Sequence, residues 1–218
     1  MFQNYLITAW RNIIKNGIFS AINIFGLAIG LMSCILIMLF VRQESGFDTW
    51  LKDNDRLVRM HTAYTMPNQE PFETVRSAGS MMEAIRDYAK NEIETGVRFI
   101  QFGLTVRKDG DAFTQSVTMV DNSFFQLFDL PFIHGSKEAS FNKPMDLVIS
   151  EELAIKYFGK TEVIGETLTF CCISGDEATL SITGVIKDLP DATHLNTDII
   201  VYLQPTLFGE NDGTLNTW

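Results

Sequence analysis

GIFSAINIFGLAIGLMSCILIMLFV, from Gly17 to Val41, is a run of 25 residues without one charged side chain. As a helix rising 1.5 Å per residue it is about 37 Å long, more than the roughly 30 Å hydrocarbon core of a bilayer. The stretch therefore predicts a single tilted membrane span over residues 17–42. A cleaved leader fits poorly, because its apolar core runs only about 7–15 residues and ends at a small-x-small site. Leu39-Phe40-Val41-Arg42-Gln43 offers no such site, so the reading is a retained anchor.

The charges flanking this run set its expected direction. Arg11 and Lys15 precede it with no acidic residue, whereas Arg42, Glu44 and Asp48 follow it. Positive flanks stay on the cytoplasmic side, which puts the N-terminus inside and residues 43–218 outside. Residues 1–16 have their own pattern. Phe2, Tyr5, Leu6, Ala9, Trp10, Ile13 and Ile14 recur at helical spacing, while Gln3, Asn4, Thr8, Arg11, Asn12 and Lys15 fall on the other side. A basic amphipathic helix carrying Trp and Tyr suits the cytoplasmic membrane surface, with membrane lipid as its partner.

Residues 43–218 carry 14 Lys and Arg against all 27 Asp and Glu, a formal charge of −13. Such a surface repels nucleic acid and anionic lipid. The segment is long enough for a buried core, and its pattern alternates strands with helices, an α+β domain. Strands are expected over Arg56–Tyr64, Glu94–Lys108, Phe113–Val120, Leu147–Ile149, Thr167–Ile173, Thr179–Ile186 and Asp198–Leu203. Helices are expected over Ala78–Lys90, after Asp121 as N-cap with Phe124, Phe125 and Phe128 buried, and from a Ser150 cap through Phe158 to Gly159.

Motifs for chemistry are weak. Ala154 to Thr161 formally fits a relaxed phosphate-loop pattern, but a helix precedes Gly159 where a strand and a glycine-rich loop should. His61, His134 and His194 are too far apart for a metal-ligand spacing, and no G-x-S-x-G occurs. Glu151-Glu152 reads as a helix start and Asp176-Glu177 as a turn. Cys171-Cys172 are adjacent, which disfavours a bond between them, and no disulfide framework is expected. Nothing points to an enzyme, a catalytic residue, a bound metal or a cofactor in this chain. Inside the span, Gly26 and Gly30 form a small-xxx-small pair with Asn23 on roughly the same face, which suits close packing of another helix.

Several segments together resemble the N-terminal part of MacB/FtsX-type ABC transporter permeases. They are Ala9-Trp10-Arg11-Asn12-Ile13-Ile14-Lys15-Asn16, Asn23 to Gly30, Phe47-Asp48 and Asp55-Arg56-Leu57-Val58-Arg59. Farther on come Asp121 to Phe125, Ile149-Ser150-Glu151, Tyr157-Phe158-Gly159, Ile164 to Leu168, and Thr183 to Asp188. The resemblance implies a periplasmic core domain over residues 43–218, Porter-like, with a Sabre-like subdomain inserted at about 112–178. It also implies that the chain is a fragment whose family returns to the membrane with more spans.

By the same resemblance, the function would be that of a permease subunit in the inner membrane. A separate cytoplasmic ABC ATPase would bind ATP and Mg and drive periplasmic movement for efflux, antimicrobial peptide export or lipoprotein handling. Further partners would be a second permease protomer or half and a periplasmic adaptor or outer-membrane component. Trp10, Arg11 and Lys15 become the expected contact with the ATPase or membrane surface, and Asn23, Gly26 and Gly30 the expected packing face. The rival reading is a single-pass envelope sensor or binding protein.

Overall fold

Backbone amides in an apolar run have no better partners than one another once water is excluded, so such a run closes its hydrogen bonds within a helix. Residues 17–45 do this. The computed structural model describes residues 2–108, 110–143, 145–171 and 177–203, without the side chains of Phe2 and Leu6. Asp109, Cys172, Ile173, Asp176 and residues 204–218 lie outside that description.

The chain divides into two compact units after Phe47. The first holds helix α1, Phe2–Lys15, and helix α2, Gly17–Ser45. The helices are parted at Asn16, whose φ of −111° and ψ of 46° leave the helical range. The break is mild, since Asn16 N still bonds Asn12 O at 3.1 Å and Ser20 N bonds Asn16 O at 2.9 Å. With a mean hydropathy of 2.8 over its most apolar 18 residues and no buried residue, α2 exposes apolar side chains on all sides, interrupted by Ser20, Asn23 and Ser33 and by the polar end from Arg42. A helix apolar all round belongs in lipid, and α2 fits a single membrane span. It runs past Val41 through Arg42, Gln43 and Glu44, and Gly46 N closes its end on Gln43 O and Glu44 O.

The second unit begins with weak structure. A 3-10 turn at Asn54–Arg56 precedes a hairpin of β1, Thr62–Tyr64, and β2, Phe72–Thr74, and then helix α3, Met81–Tyr88. The strand expected from Arg56 is confined to its last three residues, because Asp53 at φ +56° and the 3-10 turn take its start. After α3 come β3, Phe99–Lys108; β4, Asp111–Val120; α4, Phe124–Leu127; and β5, Phe132–His134. The remaining elements are β6, Asp146–Ser150; α5, Glu151–Phe158; β7, Thr167–Cys171; β8, Glu177–Ile186; and β9, Ile199–Tyr202. The fold is mixed α+β.

One sheet joins β3 to β9 in the order β5-β8-β6-β9-β4-β3-β7, and β7 also pairs with β8. The pairings β8-β6-β9-β4-β3-β7 thus return to β8 and close on themselves. Residues 112–178, where an inserted subdomain is expected, supply most of β4, all of β5 to β7 and the start of β8.

Alternate residues of the central strands serve two apolar clusters. Leu147, Ile149, Ile199 and Val201 join Phe170, Ile182 and the α5 residues Leu153 and Ala154 on one side. Val148 and Ile200 join Phe124, Phe125, Phe128 and Phe141 on the other. With both faces covered, these strands are continuous apolar runs, which is why they were legible. Helix α5 begins as its sequence predicts. Ser150 Oγ accepts from Leu153 N at 3.3 Å, and Gly159 ends the helix at φ +68°.

Asp121 does not cap α4. Ser123 occupies the cap position, and its Oγ donates to Gly96 O at 3.1 Å instead of capping the helix. The Asp121 carboxylate instead accepts from Arg98 N at 2.8 Å, Arg98 Nη2 at 2.8 Å and Arg98 Nε at 3.0 Å. This two-pronged pair extends the β3–β4 hairpin by one rung, since Asp121 N also bonds Arg98 O. Arg98→Ala leaves a largely covered carboxylate with its charged donors removed, and is expected to lower stability by about 2 kcal/mol. Urea unfolding measures this, and an unchanged midpoint would show the pair to be ornamental.

Candidate coupling and helix-packing surfaces

Steps of four, four and three residues bring Asn12, Asn16, Ser20 and Asn23 to one side of the α1–α2 join. There they line a shallow hollow with Ala9, Ile13 and Phe19. Asn16 Nδ2 reaches Asn12 Oδ1 at 3.4 Å. Among the described residues, no hydrogen bond reaches the Asn23 amide. Gly26 and Gly30 continue this side of the helix, and a Cβ built on either would meet no atom within 4 Å. The expected trio Asn23, Gly26 and Gly30 therefore lies along one open strip. Asn12, Asn16 and Ser20 extend it, and their spacing of four was the signal in the sequence that could have added them.

Arg11 and Lys15 stand four apart on a second face of α1. Among the described residues neither is in an ion pair. Trp10 lies about a third of a turn from them and is 66% exposed.

In the core unit the histidines are separate. His134 Nε2 lies 3.2 Å from Thr161 Oγ1, while His194 joins a different cluster. Among the described residues no group of three His, Cys, Asp or Glu is placed to hold a metal ion. Glu152, Asp188, Asp191 and Asp198 border one polar hollow beside the start of α5. Burial pushes the Asp198 carboxyl up, and the charges of Glu152 and Asp188 push it further, against the pull of Lys156.

A second dense polar contact, at the start of the core unit, was not foreseen. Asp48, the first residue of the core unit, sits at φ +54°. Its Oδ1 accepts from Thr193 Oγ1 at 2.5 Å and from His194 N at 3.0 Å, and its Oδ2 accepts from His194 Nδ1 at 2.6 Å. Burial alone would raise this carboxyl, but the bonds from Thr193 and His194 outweigh it and hold it below the usual carboxylate range. No local pattern announces a contact between residues 145 positions apart.

The sequence model of the MacB-like periplasmic core domain matches residues 20–216. Among solved structures, the chain is similar to a domain of a permease protein from Porphyromonas gingivalis, with a TM-score of 0.56 at 20% identity. That match covers 72% of this chain, which spans 65% of the length of the other. Also similar is the periplasmic region of MacB from Actinobacillus actinomycetemcomitans, at a TM-score of 0.45 and 12% identity, covering 58% of this chain and 55% of that one. The extracellular domain of the ABC-type transporter YknZ from Gram-positive bacteria matches at 0.44 and 15%, covering 58% and 62%. No curated protein matches the chain.

Proposed function

The chain belongs to the MacB-like periplasmic core domain family, and on that premise we propose that it is a permease subunit of an ABC-type transporter that turns cytoplasmic ATP hydrolysis into movement on the outer side of the inner membrane. The observation carrying this reading is the adjacency of two parts. An uncovered apolar helix of 29 residues runs, within a few residues, into a core unit of the family's kind. A soluble enzyme has no use for such a helix, whereas a device that works on one side of a membrane and is powered from the other requires one.

In this reading α1 lies on the cytoplasmic surface, where Trp10, Arg11 and Lys15 meet a separate ABC ATPase that binds ATP and Mg. The Asn23 amide needs a hydrogen-bond partner inside the hydrocarbon, and the open strip through Gly26 and Gly30 lets a helix of a second permease protomer or half come close enough to supply one. The core unit, outside, acts on an efflux substrate, an antimicrobial peptide or a lipoprotein, with a periplasmic adaptor or outer-membrane component as a further partner.

The test is co-expression of the whole permease with candidate ABC ATPases, followed by purification and assay of ATP-dependent output in membranes. The wild type is expected to retain an ATPase through purification. Replacing Trp10, Arg11 and Lys15 together by alanine should cut the output roughly tenfold, as expected for loss of a coupling surface. An unchanged output removes α1 from the coupling path. If no ATPase co-purifies, the chain is better read as an anchored sensor.

A further inference from the structure

The closed run of strands is fastened weakly at one place. β3 pairs with β4 over all ten residues from Phe99 to Lys108, but with β7 only at Thr105, Val106 and Arg107. β7 ends at Cys171, where it pairs with Glu177 of β8. Among the described residues, no strand pairs with the other side of Phe99–Leu104.

The neighbouring bonds show which main-chain groups this leaves outward. Arg98 O accepts from Asp121 N, whereas Val120 O turns the other way and accepts from Leu203 N. Bonded and non-bonded pairs alternate in an antiparallel ladder, and the β3–β4 register is unbroken. Phe99, Gln101 and Gly103 therefore aim their N–H and C=O groups away from β4, and all three residues are exposed. Ile100, Phe102 and Leu104 bond to β4 and lay half-buried side chains against the interior cluster.

We propose that this edge takes, as an added strand, an extended arm of a partner protein that is net basic and carries an aromatic residue opposite Gly103. Open edges are usually blunted by charge, proline or a bulge, and Phe99-Ile100-Gln101-Phe102-Gly103-Leu104-Thr105 has none of these. An added strand gains main-chain bonds along the edge and side-chain contacts at alternate positions, here Ile100, Phe102 and Leu104. A glycine inside a strand that has no bulge suits the close approach of another group. A Cβ on Gly103 would meet only Thr114 Cγ2, at 3.9 Å, and a bare face of this kind accepts an aromatic ring from the next strand.

The charge of the arm follows from its host. Residues 43–218 carry 14 Lys and Arg against 27 Asp and Glu, which attracts a basic segment and repels an acidic one. Three outward residues are few, so a free peptide binds weakly. An arm tethered to a docked protein meets the edge at millimolar effective concentration. The edge lies within the core unit, and its use requires no particular transport cycle.

The probe is a capped heptapeptide, Lys-Val-Tyr-Val-Thr-Val-Lys, added to the full chain in detergent micelles, with amide hydrogen exchange read residue by residue. Its expected Kd is about 1 mM. At about ten times that concentration it should slow exchange of Phe99, Gln101 and Gly103 about tenfold and leave Ile100, Phe102 and Leu104 unchanged. Glu in place of both Lys should weaken binding about tenfold at low salt, and the difference should shrink at high salt. Gly103→Val, which the open space tolerates, should weaken binding about tenfold. Thr in place of the probe's Tyr should lose a similar factor against wild type and little further against Gly103→Val. Uniform or absent protection overturns the added strand, and equal binding of the Glu peptide overturns its basic character. Amides 99, 101 and 103 that are already slow without peptide would mean that the chain fills its own edge. Protection that grows with chain concentration would mean that a second copy does, and either result overturns the arm. A free-peptide Kd below about 1 µM would mark a ligand that needs no tether, and overturns it as well.

Discussion

Gly135→Ala is expected to lower the stability of the core unit by about 3 kcal/mol, and Gly184→Val by a similar amount. The two glycines lie where the short edge strand β5 crosses an irregularity in β8. Between Leu147 and Val148 the partner in β8 jumps from Ile182 to Gly184, which leaves Thr183 as the extra residue of a bulge. Gly135 follows β5 at φ +81°, and a Cβ there would fall 2.5 Å from Thr183 O and 3.1 Å from Gly184 Cα. Those are backbone atoms of a paired strand and cannot move aside. A Cβ on Gly184 would fall 2.6 Å from Phe132 Cε1 and 3.2 Å from Val148 Cγ2. Phe132 is itself held edge-on against Phe125 at 5.2 Å. Overpacking of this kind costs about 1–3 kcal/mol, and positive φ adds about 1–2 kcal/mol at Gly135.

For a unit of this size the loss corresponds to a fall in Tm of roughly 6–12 °C. Gly159 is the control. Its φ is +68°, but a Cβ there would meet nothing within 4 Å, so Gly159→Asn tests left-handed backbone without overlap and should be nearly silent. If Gly135→Ala melts within about 2 °C of wild type, close backbone approach is not what these glycines provide.

The same region explains why β5 was invisible in the sequence. Phe132-Ile133-His134 has only three residues, and it is a strand because β8 offers a free edge over Val185 and Ile186. Nothing local marks it, and the same holds for β2, Phe72–Thr74, which exists only against β1. The elements read correctly have causes close by in the chain. The α2 run is uncharged from Gly17 to Val41, α5 is bracketed by Ser150 and Gly159, and β6 and β8 are apolar because both of their faces are covered. Asp121 shows how a sound local rule fails. An acidic residue just ahead of Phe124, Phe125 and Phe128 suits the cap of a helix starting at once, but Arg98 across the hairpin is charged and two-pronged and takes the carboxylate, and α4 starts only at Phe124.

The candidate surfaces divide in the same way. Trp10, Arg11, Lys15, Asn23, Gly26 and Gly30 could be proposed because they lie on regular helices, where spacing gives the face. The contact of Asp48 with Thr193 and His194 could not, because its partners lie in an irregular segment that only the folding of the core unit brings near. Asp48 and His194 read separately are one acidic residue beyond a span and one lone histidine.

Ala28→Arg with Met32→Arg is expected to release the chain from the membrane. Between Gly17 and Val41 there are fourteen Leu, Ile, Phe and Val residues. At about −0.3 to −0.6 kcal/mol each they favour insertion by roughly 4–8 kcal/mol, before the cost of Asn23 and the small residues. Two arginines near the middle cost about 5–7 kcal/mol, enough to cancel that preference. The positions are chosen with care. Ala28 and Met32 lie roughly half a turn from Asn23 and Gly30, so the substitutions act on lipid contact and spare the packing strip. Wild-type chain should stay in the pellet after alkaline carbonate, and the double variant should move to the supernatant. A pelleted double variant, or a wild type that is extracted, would mean that α2 is held by protein and not by lipid. Protease added outside spheroplasts supplies the direction, since it should cut the core unit and leave α1 untouched. Protection of the core unit would reverse the topology and place that unit in the cytoplasm, where an outward-acting permease has no use for it.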